Sequence, residues 1–591
     1  MKKSIFTVVA ALAFAGAMAQ MPQGPFGFGG NQQSQKQAEY SEKMSDINYA
    51  GDKEAYHTMD VYLPKQKRDK YPVIVHIYGS AWFSNSSKGM ADINTICAAL
   101  LDAGYAVVCP NHRSSMDAKY PAQINDIKAV VRYLRAHAEE LHLDPSFIGM
   151  SGFSSGAHLA SLMATTNGVR YGRSGDVVMD IEGTLGQCTG FSSLVNACCE
   201  WSGPVDLLNM DCDGVAKDPN SPEVMVMGMP KEGNEASYDL LNATHYVDAQ
   251  DVPIGIFHGI KDNVVPYCQG ERFHDQLVAA GVKTFLVSEP EGGHGFNMYS
   301  EENLKKMVDW FDQARVETHK SVVEEGGTGA YPAVMLEEPS LQAHTVFRPQ
   351  DLSAFGEQQK LPVLVWGNGA CTNSPWEHYL FLNEIASHGY VVVATGYYPV
   401  EIKPYHGPMS TTEQQLESID WIIAQNSDPA SPYYQKIDTT KICAAGMSCG
   451  GLQTLFNCAD PRLSAVMICN SGLFSNPMGA VPGMPMPQKD KLQQLHTPIM
   501  YMLGGDTDIA YENGMDDFHR IEHVPALAIN YPVGHGGTYG QPHGGEFSIP
   551  AVAWLDWQLK GDKQAAKMFV GKKCGISQRE GWTIEKNKKV K

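Results

Sequence analysis

A serine flanked by glycines occurs twice in this chain, each time between an apolar run and a helix-like one. Gly152-Phe153-Ser154-Ser155-Gly156 follows Phe147-Ile148-Gly149-Met150 and precedes Ala157-His158-Leu159-Ala160-Ser161-Leu162-Met163. Gly446-Met447-Ser448-Cys449-Gly450 follows Lys441-Ile442-Cys443-Ala444-Ala445 and precedes Leu452-Gln453-Thr454-Leu455-Phe456. A Ser on a tight strand-to-helix turn needs small residues on both sides, because the strained backbone brings neighbouring chain too close for larger side chains. The bare pattern is weak; the strand–turn–helix setting on both occasions gives it weight.

Around each serine the sequence alternates short buried strands with amphipathic helices. Val73-Ile74-Val75-His76-Ile77 and Ala106-Val107-Val108-Cys109 read as strands; Ile93, Ile96, Ala99 and Leu100, then Ile124, Ile127, Val131 and Leu134, recur at helical spacing. The alternation restarts with Val363-Leu364-Val365-Trp366, Val391-Val392-Val393, Ile442-Cys443-Ala444, Ala465-Val466-Met467-Ile468 and Ile499-Met500-Tyr501-Met502. Strand–helix–strand order predicts α/β folding, a mostly parallel sheet flanked by helices, in two successive domains. Their expected extents are 40–317 and 331–591, joined by a polar, Gly-rich linker at 318–330.

A nucleophilic Ser in this architecture needs an Asp and then a His further along the chain. After the strand-like Ile254-Gly255-Ile256-Phe257-His258, the turn Gly259-Ile260-Lys261-Asp262 supplies an acid, and Glu291-Gly292-Gly293-His294 supplies a base. The second half repeats this with Gly505-Asp506-Thr507-Asp508 and Gly534-His535-Gly536-Gly537. Counting three residues past the Gly selects Asp508 over Asp506, and closeness to the strand end selects His535 over His543. An oxyanion site needs the backbone N–H after the nucleophile and another from an early loop. Those donors are Ser80 or Ala81 with Ser155, and Asn368 or Gly369 with Cys449. Trp82, Phe296 and Tyr539 adjoin these positions and are candidates to stack on an aryl or sugar ring.

A length of 591 residues exceeds one core, and 43% hydrophobic residues exclude disorder across most of the chain. The net charge of −20, without a basic stripe, argues against a nucleic-acid partner. Met1-Lys2-Lys3, the apolar run Ile5–Met18 and Ala17-Met18-Ala19 read as a secretory signal peptide over 1–19, followed by a flexible leader over 20–39. The mature chain is therefore expected to be exported, periplasmic or secreted, with no membrane span. Thirteen Cys permit disulfides and leave at least one thiol unpaired.

These features resemble the α/β-hydrolase superfamily twice over, across nearly all of residues 40–565. The first half resembles bacterial feruloyl and acetylxylan esterases through Leu63-Pro64, Gly79-Ser80-Ala81-Trp82, Gly152 to Ala160, and Trp201-Ser202-Gly203-Pro204-Val205-Asp206-Leu207. Tyr78 and Ser80 depart from the usual His-Gly-Gly-Ala-Trp loop. The second half is similar to cutinase-like and chlorophyllase-like hydrolases through Trp366-Gly367-Asn368-Gly369, Ser448-Cys449-Gly450-Gly451 and Gly534 to Tyr539. The resemblance implies a serine carboxylic-ester hydrolase whose partner is an ester-bearing plant polysaccharide or oligosaccharide such as xylan, carrying acetyl or feruloyl groups. The alternatives are a peptidase of the prolyl-oligopeptidase class and a carbohydrate-binding protein with one inactive unit.

Cys371 and Cys449 sit in the two segments that must meet to form the second oxyanion site, so a disulfide between them is expected, with two buried thiols as the alternative. Asn209 to Gly214 starts like a calcium loop, but Asn220 stands at the twelfth position where a bidentate carboxylate is needed, and a solvated lid loop is preferred. No metal or cofactor is implied.

Overall fold

Strand residues such as Tyr71–Ile77 and Val391–Thr395 are buried along their whole length, as a central strand covered by helices on both faces requires. The computed structural model describes residues 37–88, 92–211, 220–475 and 486–591. The expected signal segment 1–19 and nearly all of the leader 20–39 lie outside the described residues, as does the second half of the Asn209–Gly214 stretch. Among the described residues no helix is long and apolar enough to cross a membrane.

The chain divides into two compact units, Met1–Ala314 and Arg315–Lys591. The boundary falls inside the helix Glu301–Thr318 instead of in the Gly-rich stretch that follows it. The segment 318–330 is part of the second unit: Lys320–Ser321 pairs with Ala333–Glu337 at the sheet edge. The polar composition that reads as a linker is that of an edge strand and a turn.

In the first unit eight strands form one sheet, in the spatial order Glu42–Asn48, Thr58–Leu63, Ala106–Pro110, Tyr71–Ile77, Leu143–Phe153, Ala197–Trp201, Ile254–Gly259 and Thr284–Glu289. The first two strands are antiparallel to their neighbours and the other six run parallel. The second unit repeats the parallel series as Val391–Thr395, Leu361–Gly367, Ile437–Met447, Leu463–Cys469, Ile499–Leu503 and Ala526–Asn530, with antiparallel strands on both sides. Each unit is thus an α/β-hydrolase sheet.

Strand order reverses between Tyr71–Ile77 and Leu143–Phe153, and again between Leu361–Gly367 and Ile437–Met447. At such a point the two connections leave for opposite sides of the sheet and open a crevice beyond the carboxyl ends of the strands. The segments bordering that crevice are those after Ile77 and Gly367, and those after Phe153 and Met447. Within each unit the topology therefore places the elbow serine beside the candidate oxyanion loop.

Candidate active sites

Ser154 and Ser448 have the same strained backbone, φ 55° and ψ −123° in one, φ 52° and ψ −114° in the other. Each ends a strand and stands just before a helix, Ser155–Thr165 or Cys449–Asn457. The flanking glycines are a steric necessity. A Cβ on Gly152 would lie 2.3 Å from the Gly156 carbonyl oxygen, and one on Gly156 would lie 2.1 Å from that of Ile77. In the second unit a Cβ on Gly446 would meet Gly450 at 2.4 Å, and one on Gly450 would meet the Gly367 oxygen at 2.0 Å.

In the first unit His294 Nδ1–H donates to Asp262 Oδ2 at 2.8 Å, and Nε2 accepts from the Ser154 hydroxyl at 2.9 Å. Asp262 Oδ1 accepts the N–H groups of Val264 and Val265, each at 2.9 Å. Burial pushes the Asp262 carboxyl up, but His294 and the two backbone donors outweigh it and hold the group below its ordinary value. The acid stays ionised and fixes His294 with its free nitrogen toward the serine. Ser151, which lies outside the Gly-x-Ser-x-Gly pattern, bonds His76 inside the sheet.

The second unit assembles the same geometry: His535 Nδ1–H to Asp508 Oδ1 at 2.6 Å, and Ser448 hydroxyl to His535 Nε2 at 2.9 Å. Asp508 also accepts from Ala510 N–H at 2.9 Å, Gly504 N–H at 3.0 Å and Asn470 Nδ2 at 2.8 Å. Burial again raises this carboxyl, and the donors again bring it below its ordinary value. Asp506 is exposed, and His543 pairs with Glu324 and Glu384.

The loop after Ile77 narrows the choice of oxyanion donors. Ser80 N–H is already donated to Ser155 Oγ at 2.9 Å, so Ser80 is withdrawn as a donor and Ala81 remains with Ser155. Asn368 lies beneath the elbow, its carbonyl accepting Gly450 N–H at 3.0 Å and its amide donating to Thr395 and Thr372. These contacts use the Asn368 carbonyl and side chain, so the backbone N–H groups of Asn368 and Gly369 both remain candidates, with Ala370 after them, beside Cys449. In each loop two consecutive residues have positive φ: Ala81 and Trp82, and Ala370 and Cys371. The residue after each elbow serine ties its loop to the elbow, through the Ser155 hydroxyl in the first unit and through the Cys371–Cys449 disulfide in the second, where the Cα atoms are 5.1 Å apart.

Two of the three aromatic assignments are corrected. Trp82 is 3% exposed and packs edge-on against the buried His158 with ring centres 5.1 Å apart. Tyr539 is 2% exposed, packed edge-on or tilted among the rings of Trp366, His378, Phe381 and Phe547, and its hydroxyl donates to Asn470. Apolar residues next to a catalytic position serve the core as readily as the substrate. Phe296, 53% exposed two residues after His294, remains available to a ligand.

Asn470 was not legible as a site residue, because it stands 38 residues from Asp508 and 64 from Gly534 in the sequence and belongs to no local motif; only the end of strand Leu463–Cys469 brings it to Asp508.

Comparison with known proteins divides along the same lines. Residues 59–277 match the family described as BD-FAE, and residues 379–509 match the family described as PET hydrolase-like. The chain is 27% identical over 273 residues to the probable carboxylic ester hydrolase LipM of Mycobacterium tuberculosis, covering 45% of this chain and 58% of that protein. It is 34% identical over 105 residues to the carboxylesterase NlhH of the same species, covering 18% of this chain and 32% of that protein. The chain therefore spans a little over half the length of LipM. A solved structure titled as a truncated form of carbohydrate esterase from gut microbiota is 43% identical, covering 46% of this chain and 96% of that one with a TM-score of 0.46.

Proposed function

We propose, from the premise that the chain is two α/β-hydrolase units in succession, that it is a carboxylic-ester hydrolase with a working serine in each unit. The observation that carries this is the pair of Ser–His–Asp constellations, each with both hydrogen bonds formed. Similarity of part of the chain to carboxylic ester hydrolases supports the same reading.

Ser154 Oγ attacks the ester carbonyl while His294 Nε2 takes its proton. Asp262 keeps the ring in the required tautomer and stabilises its cation. The N–H groups of Ala81 and Ser155 receive the oxyanion. His294 then returns the proton to the departing alcohol, and water repeats the sequence on the acyl-enzyme. Ser448, His535, Asp508 and the N–H of Cys449 with Asn368 or Gly369 do the same in the second unit.

The substrate in this reading is plant cell-wall polysaccharide such as xylan, from which acetyl or feruloyl esters are removed. Support comes from the likeness of the first unit to feruloyl and acetylxylan esterases, carried by Gly79-Ser80-Ala81-Trp82, Gly152 to Ala160 and Trp201 to Leu207. Export follows in the same reading from the basic, then apolar, then Ala-x-Ala start of the chain.

Ser154→Ala and Ser448→Ala, each alone, should remove separate portions of the activity on acetylated xylan and feruloylated oligosaccharide. If neither change alters either activity, the assignment fails.

A further inference from the structure

We propose that Asn470, backed by Tyr539, is a positioning residue of the second unit that clamps Asp508 to the loop carrying His535. This rests on the reading of Ser448 as a nucleophile. Asn470 is fully buried at the end of the strand Leu463–Cys469, with φ 42° and its N–H donated to Met502 O at 2.8 Å. Its Nδ2 donates to Asp508 Oδ2 at 2.8 Å and to the Gly534 carbonyl at 3.2 Å. Gly534 immediately precedes His535, so one amide spans the acid and the segment that aims the base. Its Oδ1 accepts the Tyr539 hydroxyl at 2.5 Å.

The partners dictate the orientation of this amide. A carboxylate and a carbonyl can only accept, so the face toward them must be the NH2 group, and the oxygen must face the phenol, which can donate. The chain Tyr539–Asn470–Asp508–His535–Ser448 is therefore polar in one direction and has no alternative arrangement. Tyr539 is held by rings on several sides, and Gly537, at φ +57°, leaves room for its edge: a Cβ there would lie 2.5 Å from Tyr539 Cε2. A rigid phenol anchors the amide, and the amide anchors the acid.

The first unit lacks this device. Ser202 stands at the matching place, after the strand Ala197–Trp201, with φ 51° and its N–H donated to Phe257 O at 2.9 Å. Among the described residues no hydrogen bond joins Ser202 to Asp262, which relies on His294 and two backbone donors. A buried amide that bridges two catalytic segments in one unit and is replaced by a short hydroxyl in the other is more than core filling.

The test uses the full chain carrying Ser154→Ala, so that turnover of p-nitrophenyl acetate reports the second unit, with Ser154→Ala/Ser448→Ala as background. Asn470→Ala should lower kcat about 10- to 100-fold, the loss of one hydrogen bond to a charged group, with KM changed less than about two-fold. Tyr539→Phe removes only the hydroxyl and should lower kcat about 3- to 10-fold with the same split; it decides the matter if Asn470→Ala does not fold. Unchanged kcat in the folded variants, or a loss confined to KM, overturns the positioning role. Turnover of the Ser154→Ala chain no greater than background refutes the catalytic reading of the second unit, and the positioning role falls with it.

Discussion

Replacing Cys371 by Ala severs the bond between the second oxyanion loop and the residue after Ser448. The bridge closes a loop of 78 residues. On the chain-entropy relation a loop of that size removes about 15 cal/mol/K from the unfolded ensemble, or about 4.5 kcal/mol at 25 °C. For a unit of this size each kcal/mol moves Tm by about 2 °C, so the second unit should melt about 10 °C lower. The chemical effect is separate. Cys449 carries an N–H candidate for the oxyanion, and its side chain holds the loop that supplies the other donor, so freeing the loop should lower Ser448-dependent kcat about 100-fold, the cost of one misplaced donor.

The first unit supplies the comparison, because there the same tie is a single hydrogen bond from Ser80 N–H to Ser155 Oγ, worth about 1 kcal/mol. Ser155→Ala should therefore lower the first unit's Tm by only about 2 to 3 °C. Scanning calorimetry gives both shifts, and turnover in the Ser154→Ala background gives the chemistry. If Cys371→Ala leaves the melting of the second unit within about 2 °C and kcat within about two-fold, the bridge neither restrains the unfolded chain nor shapes the site, and the reasoning is refuted.

Asp508→Asn should cost about 10⁴-fold in Ser448-dependent kcat by permitting the wrong His535 tautomer, whereas Asp506→Asn should leave it within about two-fold; equal effects would reject the assignment of the acid. Gly156→Ala forces a methyl to 2.1 Å from the Ile77 oxygen, which should destabilise the first unit by about 2 to 3 kcal/mol and lower Ser154-dependent kcat at least about 100-fold, measured by denaturant titration and ester turnover. Glu200 is buried and its carboxyl is pushed up to about 8 by burial, against an ordinary 4.5, the Gly203 N–H only partly offsetting it. The folded state therefore holds this proton between pH 4.5 and 8 while the unfolded state does not, so its contribution is full below about 4.5 and is lost as pH rises through 8, at most about 5 kcal/mol. The stability of wild type minus that of Glu200→Gln should accordingly fall across pH 5 to 8 in urea titrations, and a pH-independent difference would show that Glu200 is not protonated in the folded chain.

Much of the framework is local and was readable. The runs Val73–Ile77 and Ile499–Met502 lie within strands because continuous apolar side chains must be buried on both faces, and Gly152, Gly156, Gly446 and Gly450 mark the elbows because no Cβ fits there. Asp508 was separable from Asp506 by standing three residues past Gly505, as Asp262 stands past Gly259, and it is the one that reaches His535. The roles of Trp82 and Tyr539 were not readable. Both are aromatic, both adjoin site residues, and only the packing around them shows that their rings face the core.

The sequence by itself determined two α/β-hydrolase sheets and the order of serine, acid and histidine in each, because periodicity and steric exclusion act over a few residues. Only the tertiary structure decided that Ser80 N–H is committed to Ser155, that Asn368 lies beneath the elbow and that Asn470 and Tyr539 stand behind Asp508. A hydrogen bond between residues 75 or 69 positions apart leaves no trace in local composition; it exists because strand order at the crevice brings separate loops within 3 Å of one another.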